Sequence, residues 1–192
     1  MKLFCIVIAV ITLNTQQHAQ TYFRVQHEQL FNLVDADKES YNPKLKTKET
    51  LFESNFALTF PFTFITSETI AVSIRPGFVI GSNYSGYDIG ILQQYFIDSV
   101  KYVMGGLNFH YNIGSSSISV FNSDNTLIPY LILGGGYKVL KNFFVEFQVN
   151  FPTNKDSYSN EFLLIEDSQE SVLYFYRPSW LFKLCLAYQM KL

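Results

Sequence analysis

Thirteen consecutive residues, WLFKLCLAYQMKL from Trp180 to Leu192, alternate with a period of two. Trp180, Phe182, Leu184, Leu186, Tyr188, Met190 and Leu192 form one set, and Lys183, Cys185, Ala187, Gln189 and Lys191 the other. That period puts the two sets on opposite faces of a β-strand. The same alternation recurs upstream. Phe56, Leu58, Phe60, Phe62 and Phe64 oppose Asn55, Ala57, Thr59, Pro61 and Thr63. Ile70, Val72, Ile74, Phe78 and Ile80 oppose Thr69, Ala71, Ser73, Arg75 and Gly77. Val103, Leu107, Phe109, Tyr111 and Ile113 oppose Met104, Gly106, Asn108, His110 and Asn112. Phe143, Val145, Phe147, Val149 and Phe151 oppose Phe144, Glu146, Gln148 and Asn150. Three weaker segments run through Phe23, Val25, Phe31 and Leu33, through Tyr87 to Ile97, and through Leu127 to Val139. The pattern predicts eight strands.

Their connections alternate in length. Thr66-Ser67, Asp98-Ser99 and Lys141-Asn142 mark tight turns, whereas 35–50, 81–86, 114–125 and 152–171 read as longer polar loops. An even number of strands with short turns at one end and long loops at the other describes an outer-membrane barrel. The expected fold is all-β: a closed antiparallel transmembrane β-barrel of eight strands, with short periplasmic turns and long outer loops. Pro61 falls mid-strand, where a closed ladder has no free edge, so a bulge or a strand boundary is expected there.

A soluble, lipocalin-like barrel would show the same alternation with its apolar face turned inward. The polar face separates the two. In the strands carrying Asn55, Thr69, Met104 and Lys183, only Arg75, Lys183 and Lys191 of twenty polar-face residues are charged. A water-facing surface carries roughly 25–35%. The rest are mostly small or amide side chains that fill a narrow lumen. Arg24, Arg75, Lys138, Lys183 and Lys191 face Glu28, Asp88 and Glu146 in sign and require partners inside a closed barrel. Tyr22, Phe64, Phe151, Trp180 and Tyr188 lie near strand ends, as interfacial aromatics do.

Composition adds limits. The 192 residues include 19 Phe and 13 Tyr but one Trp, and charged residues are only 16%. Mean hydropathy is +0.09, an average that interleaving produces and long apolar helices would not. The net charge of −2 gives no sign of a nucleic-acid binder. Lys2, the apolar stretch Leu3 to Leu13 and Ala19 fit a secretory signal peptide over 1–19, with the barrel domain over 20–192. Its removal would leave Cys185 as the single cysteine, so no internal disulfide is expected.

By pattern, over the whole chain after residue 19, the sequence resembles small bacterial outer-membrane β-barrels of the OmpA/OmpX type. It is similar in particular to barrels without assigned function from Bacteroidetes-like bacteria. Trp180, Phe182, Tyr188 and Met190 match the alternation of a C-terminal strand recognised by the barrel-assembly machinery, although Leu192 stands where that family carries Phe. The resemblance implies a Gram-negative outer-membrane location. It also implies contacts with outer-membrane lipid and lipopolysaccharide, and a monomer.

Candidate chemistry is sparse. Some barrels of this size modify lipid A, and FHYN places His110 on the polar face, but Asn112 stands where such an enzyme carries its Ser. Ser115, Ser116 and Ser117 follow in a segment read as loop. His27 has no flanking constellation. Gly134–Gly136 lacks the Lys-Ser/Thr of a phosphate loop and reads as a close backbone approach. Asp35, Asp37, Lys38 and Glu39 lack the spacing of a calcium loop and read as solvated. Cys185 reads as an inert lumen residue. No catalytic, cofactor-binding or metal-ligating residue is expected, and no cofactor. The function expected is a non-enzymatic envelope protein with interacting loops. The alternatives are a lipid-A-modifying enzyme, a soluble ligand-binding barrel and a narrow channel.

Overall fold

In the computed structural model the described residues are 20–40, 46–81, 84–113, 126–154, 159–165 and 170–192. The segment read as a signal peptide, and Ser115 to Ser117, lie outside them. Among the described residues ten antiparallel strands are present: β1 (Thr21–Ser40), β2 (Lys46–Thr59), β3 (Phe62–Ile65), β4 (Ile70–Ile80), β5 (Gly86–Phe96), β6 (Lys101–Asn112), β7 (Thr126–Leu140), β8 (Phe143–Pro152), β9 (Ser159–Ile165) and β10 (Glu170–Lys191). They fill eight places in one closed ring. β2 and β3 share the place between β1 and β4, β9 continues β8 alongside β10, and β10 pairs back onto β1. Closure leaves the barrel wall without a free edge.

Side-chain sidedness is inverted relative to a soluble barrel. Along β10, Leu184, Leu186 and Tyr188 are exposed while Lys183, Cys185 and Ala187 are buried. The same holds for Ile89 and Ile91 against Asp88 and Leu92 on β5, and for Phe147 against Glu146 and Gln148 on β8. Phe, Ile, Leu and Val crowd the outer face and amides and charges the inner one. This is the arrangement of a lipid-facing transmembrane barrel, and it excludes a soluble barrel with an apolar interior.

Pro61 falls at a strand boundary without a bulge. The Gln26↔Thr59 pairing continues as Phe23↔Phe62 with no change of register. The Arg24 N–H still reaches the Pro61 carbonyl at 2.9 Å. Only the return bond to the Arg24 carbonyl is missing, because proline has no N–H. A true bulge lies elsewhere: Leu33 faces Trp180 but Val34 faces Pro178, so Ser179 is the extra residue. Tyr176 and Pro178 point inward above it, and Leu181 and Lys183 below it.

Two segments expected as loops are strand instead. β1 and β2 stay paired out to Glu39↔Lys46, and β10 pairs with β9 over 170–176. β4 leaves β2 at Phe56↔Ile80, so β9, β10, β1 and β2 extend beyond the rim as a four-stranded sheet. Asp35 and Asp37 therefore sit on a hairpin arm. Thr50 donates to Asp35 at 3.3 Å, and Arg177 and Lys48 pair with Asp37 at 2.9 and 3.8 Å.

Candidate functional site: the lumen

Alternation on eight strands aims one residue in two at a common axis, and the barrel is narrow enough for those side chains to fill it. Three cations and three carboxylates arrive there buried: Arg24, Arg75 and Lys183 with Glu28, Asp88 and Glu146. They sort into two clusters along the axis.

The cluster nearer the tight turns centres on Glu146 of β8. Arg75 of β4 donates through both terminal nitrogens, at 2.6 Å to Oε2 and 3.1 Å to Oε1. Arg24 of β1 donates to Oε1 at 2.9 Å, and Gln148 to Oε2 at 3.1 Å. The Tyr102 hydroxyl donates to the same Oε1. Arg24 also donates to Gln189 at 2.7 Å and to Tyr102 at 3.0 Å, and its guanidinium lies 4.3 Å from the Phe144 ring centroid. Gly136 makes room for this arrangement, because a Cβ there would run into the Tyr102 ring. The glycine run is a close approach, as its sequence context suggested.

The second cluster lies nearer the loop end. Lys183 of β10 bridges Asp88 and Glu28 at 2.9 Å to each. Asn108 donates to Asp88 at 3.1 Å, while Gln26 and Thr59 donate to Glu28 at 2.8 and 2.9 Å. His110 Nδ1 is 2.6 Å from Asp88 Oδ1, and its Nε2 is 3.5 Å from Asn112 Oδ1. The imidazole stacks on Tyr84 with centroids 3.9 Å apart and is fully buried. Its hydrogen-bond partners among the described residues are the Asp88 carboxylate and the Asn112 amide oxygen.

Between the clusters the remaining void is about 10 Å³, lined by Glu28, Arg75, Asp88 and Lys183 among others. At the loop end Val34, Ala36, Tyr84, Ile128, Tyr130 and Tyr176 form an apolar cap. At the turn end a cavity of about 490 Å³ opens, lined by Tyr22, Phe96, Lys138 and Gln189 and floored by Arg24 and Phe144.

Arg24, Arg75, Lys183, Glu28, Asp88 and Glu146 thus converge as their sign and parity suggested. Lys138 stays at the turn-end mouth, 5.9 Å from the Phe144 centroid, and Lys191 is exposed. Cys185 is buried, with Gln148 Nε2 at 3.6 Å. Tyr102 and Tyr84 escaped the sequence reading. Tyr102 shares the parity of Met104 and His110, which would have placed it inside. Tyr84 lies outside any strand and gave no signal.

No family model matches the sequence, and no curated protein matches it significantly. Among solved structures the chain is similar to the outer membrane protein OprG from Pseudomonas aeruginosa, with 13% identity over 90% of this chain and 96% of that one, and a TM-score of 0.49. It is similar to outer membrane protein AlkL in DMPC bilayers, at 14% identity, 91% and 92% coverage and a TM-score of 0.48. It is also similar to Neisserial surface protein A, at 13%, 88% and 97%, and 0.44. At such identities and scores these likenesses carry no weight; the small transmembrane barrel rests on its closed ladder and inverted faces.

Proposed function

We propose that the chain is a non-enzymatic outer-membrane protein: a plugged barrel that anchors an extended outer sheet and its loops for surface interaction or envelope maintenance. The observation that carries this reading is the lumen. Six buried charges satisfy one another across β1, β4, β5, β8 and β10, and the space between them is about the size of one water. A channel needs a continuous wet path, which the void of about 10 Å³ between the clusters does not offer. An enzyme built on His110 needs that ring open to lipid, whereas it is fully buried and held by Asp88. In this reading the turns at 66–69, 97–100 and 141–142 face the periplasm. Lipopolysaccharide surrounds the outer girdle, and β10 is the strand offered to the assembly machinery.

The reading is tested in cells. The protein is expected to fractionate with outer membranes and to change gel mobility on boiling. Recovery in the soluble periplasm would reject it. The lipid A acylation profile, read by mass spectrometry, is expected to be the same with and without the protein. A protein-dependent change lost in His110→Ala would establish the enzyme instead, and steady single-channel current in planar bilayers would establish the channel.

A further inference from the structure

One wall of the barrel departs from the rule that its outer face is apolar. The outward residues of β1 are Phe23, Val25, His27, Gln29, Phe31 and Leu33. Opposite them on β10 stand Met190, Tyr188, Leu186, Leu184, Phe182 and Trp180. Tyr188 and Trp180 mark the two edges of the apolar band, as interfacial aromatics do. His27 and Gln29, facing Leu186 and Leu184, lie at its middle. Ser54 is exposed on β2 opposite Phe31, at the loop-end edge of the band, just past the last β2–β4 pair Phe56↔Ile80. By contrast, Gln93, on the outer face of β5, lies beside Tyr95 near the turn end.

Hydrocarbon offers no hydrogen-bond partner at this depth, and polar side chains inside a membrane mark function by default. Gln29 Nε2 donates to Ser54 Oγ at 2.9 Å and to the Asn55 carbonyl at 2.8 Å, which leaves Gln29 Oε1 without a partner among the described residues. His27 is exposed, and its ring lies beside the Phe56 ring, 6.4 Å between centroids, with no side-chain hydrogen bond among the described residues. The imidazole therefore presents a donor and an acceptor, Gln29 an acceptor and Ser54 a hydroxyl proton, all towards lipid.

We propose that the β1–β2 wall is the contact surface for a second copy of this chain, with His27, Gln29 and Ser54 of the two copies bonding across a two-fold axis along the membrane normal. Two barrels inserted in the same direction can be related by a closed two-fold only about that axis. Rotation about it keeps every residue at its own depth. The polar patch of one copy, from His27 and Gln29 at mid-depth to Ser54 at the loop-end edge, then meets the same patch of the other, and its donors and acceptors are complementary to themselves. Lipid acyl chains offer nothing at this level, and an unrelated partner would have to match it independently. Phe52, 65% exposed and stacked on Phe31 at 5.9 Å, and exposed Phe56 supply apolar contact area around the patch.

The inference rests on the membrane-spanning reading, so the experiment reads insertion and association separately. The barrel is refolded into DMPC vesicles in a Cys185→Ala background, with donor or acceptor dye on Lys101→Cys at the turn end. Flotation with the vesicles and heat-shifted mobility report insertion; energy transfer against lipid dilution reports association. Transfer above random proximity is expected. In His27→Leu/Gln29→Leu the apparent association constant is expected to fall about tenfold. Heat-shifted mobility and the urea midpoint should be kept or raised, because leucine is what this face carries elsewhere. Inserted protein without transfer would overturn the proposal. So would transfer unchanged in the double variant, or a double variant that no longer folds. Failure of the unsubstituted barrel to insert would overturn the spanning reading itself.

Discussion

Glu146→Gln tests the lumen most directly. The substitution keeps shape and volume but removes the carboxylate that two guanidinium groups share. Arg24 and Arg75 are 2% and 4% exposed, Arg75 within the packed lumen and Arg24 at the floor of the turn-end cavity. Removing one partner of a buried ion pair costs about 3–5 kcal/mol, because the other charge stays buried and uncompensated. Here one carboxylate serves both cations and the Tyr102 hydroxyl, which places the expected loss at the upper end, about 5 kcal/mol. At about 1.4 kcal/mol per decade, that is between three and four powers of ten in the folding equilibrium. The assay is reversible urea unfolding in lipid vesicles. The single Trp180, exposed on the lipid-facing side of β10, reports through its emission maximum. The control is Asp37→Asn on the hairpin arm. Its partners Arg177 and Lys48 are 43% and 83% exposed, and the expected loss is about 0–1 kcal/mol. If Glu146→Gln costs no more than Asp37→Asn, the lumen charges are hydrated and the packed-plug argument is wrong.

Three further outcomes are expected. Gly136→Ala forces a methyl group against the Tyr102 ring and should cost about 1–3 kcal/mol in the same urea assay, whereas Gly105→Ala, which meets ordinary contacts at 3.5 Å, should cost less. Asp98, in the turn between β5 and β6, accepts the Val100 and Lys101 N–H groups at 2.7 Å each, and those bonds hold its carboxyl below the ordinary aspartate range. The turn's contribution should therefore be complete above the unfolded pKa and fade only as pH falls through the lowered one; a carboxyl resonance of Asp98 titrating like a free aspartate would contradict this. Trp180 fluorescence should be quenched more by bromines near the headgroups than by bromines near the acyl-chain ends, the reverse order placing that girdle at the wrong depth.

The strands that alternate cleanly in the sequence are those whose two faces meet lipid and lumen over their whole length. The first strand alternates only at its ends because His27 and Gln29 face outward at its centre. The hairpin arms above the rim lose the pattern because neither face meets hydrocarbon, and polar residues there read as loop. The last alternation begins at Trp180 because the bulge at Ser179 resets parity just above it. Sign and parity together nominated the lumen charges. Which of them meet was not legible, since Arg24 and Glu146 are 122 residues apart and Lys183 and Asp88 are 95 apart. Only the order and tilt of the strands settle such pairs.

The seam between β1 and β10 runs from Tyr22↔Lys191 to Ser40↔Val172, so the longest ladder in the wall joins the segments farthest apart in sequence. Neighbouring hairpins such as β5–β6 can zip locally, but this ladder must wait for β10 and for the largest loop-closure cost in the molecule. Until then two long strand edges stay unpaired, and one carries the aromatic column Phe23, Phe31 and its partner Phe52. A chain carrying such edges through water is an aggregation hazard. The concentration dependence of refolding yield should therefore follow the exposure of β1 more closely than that of any central strand.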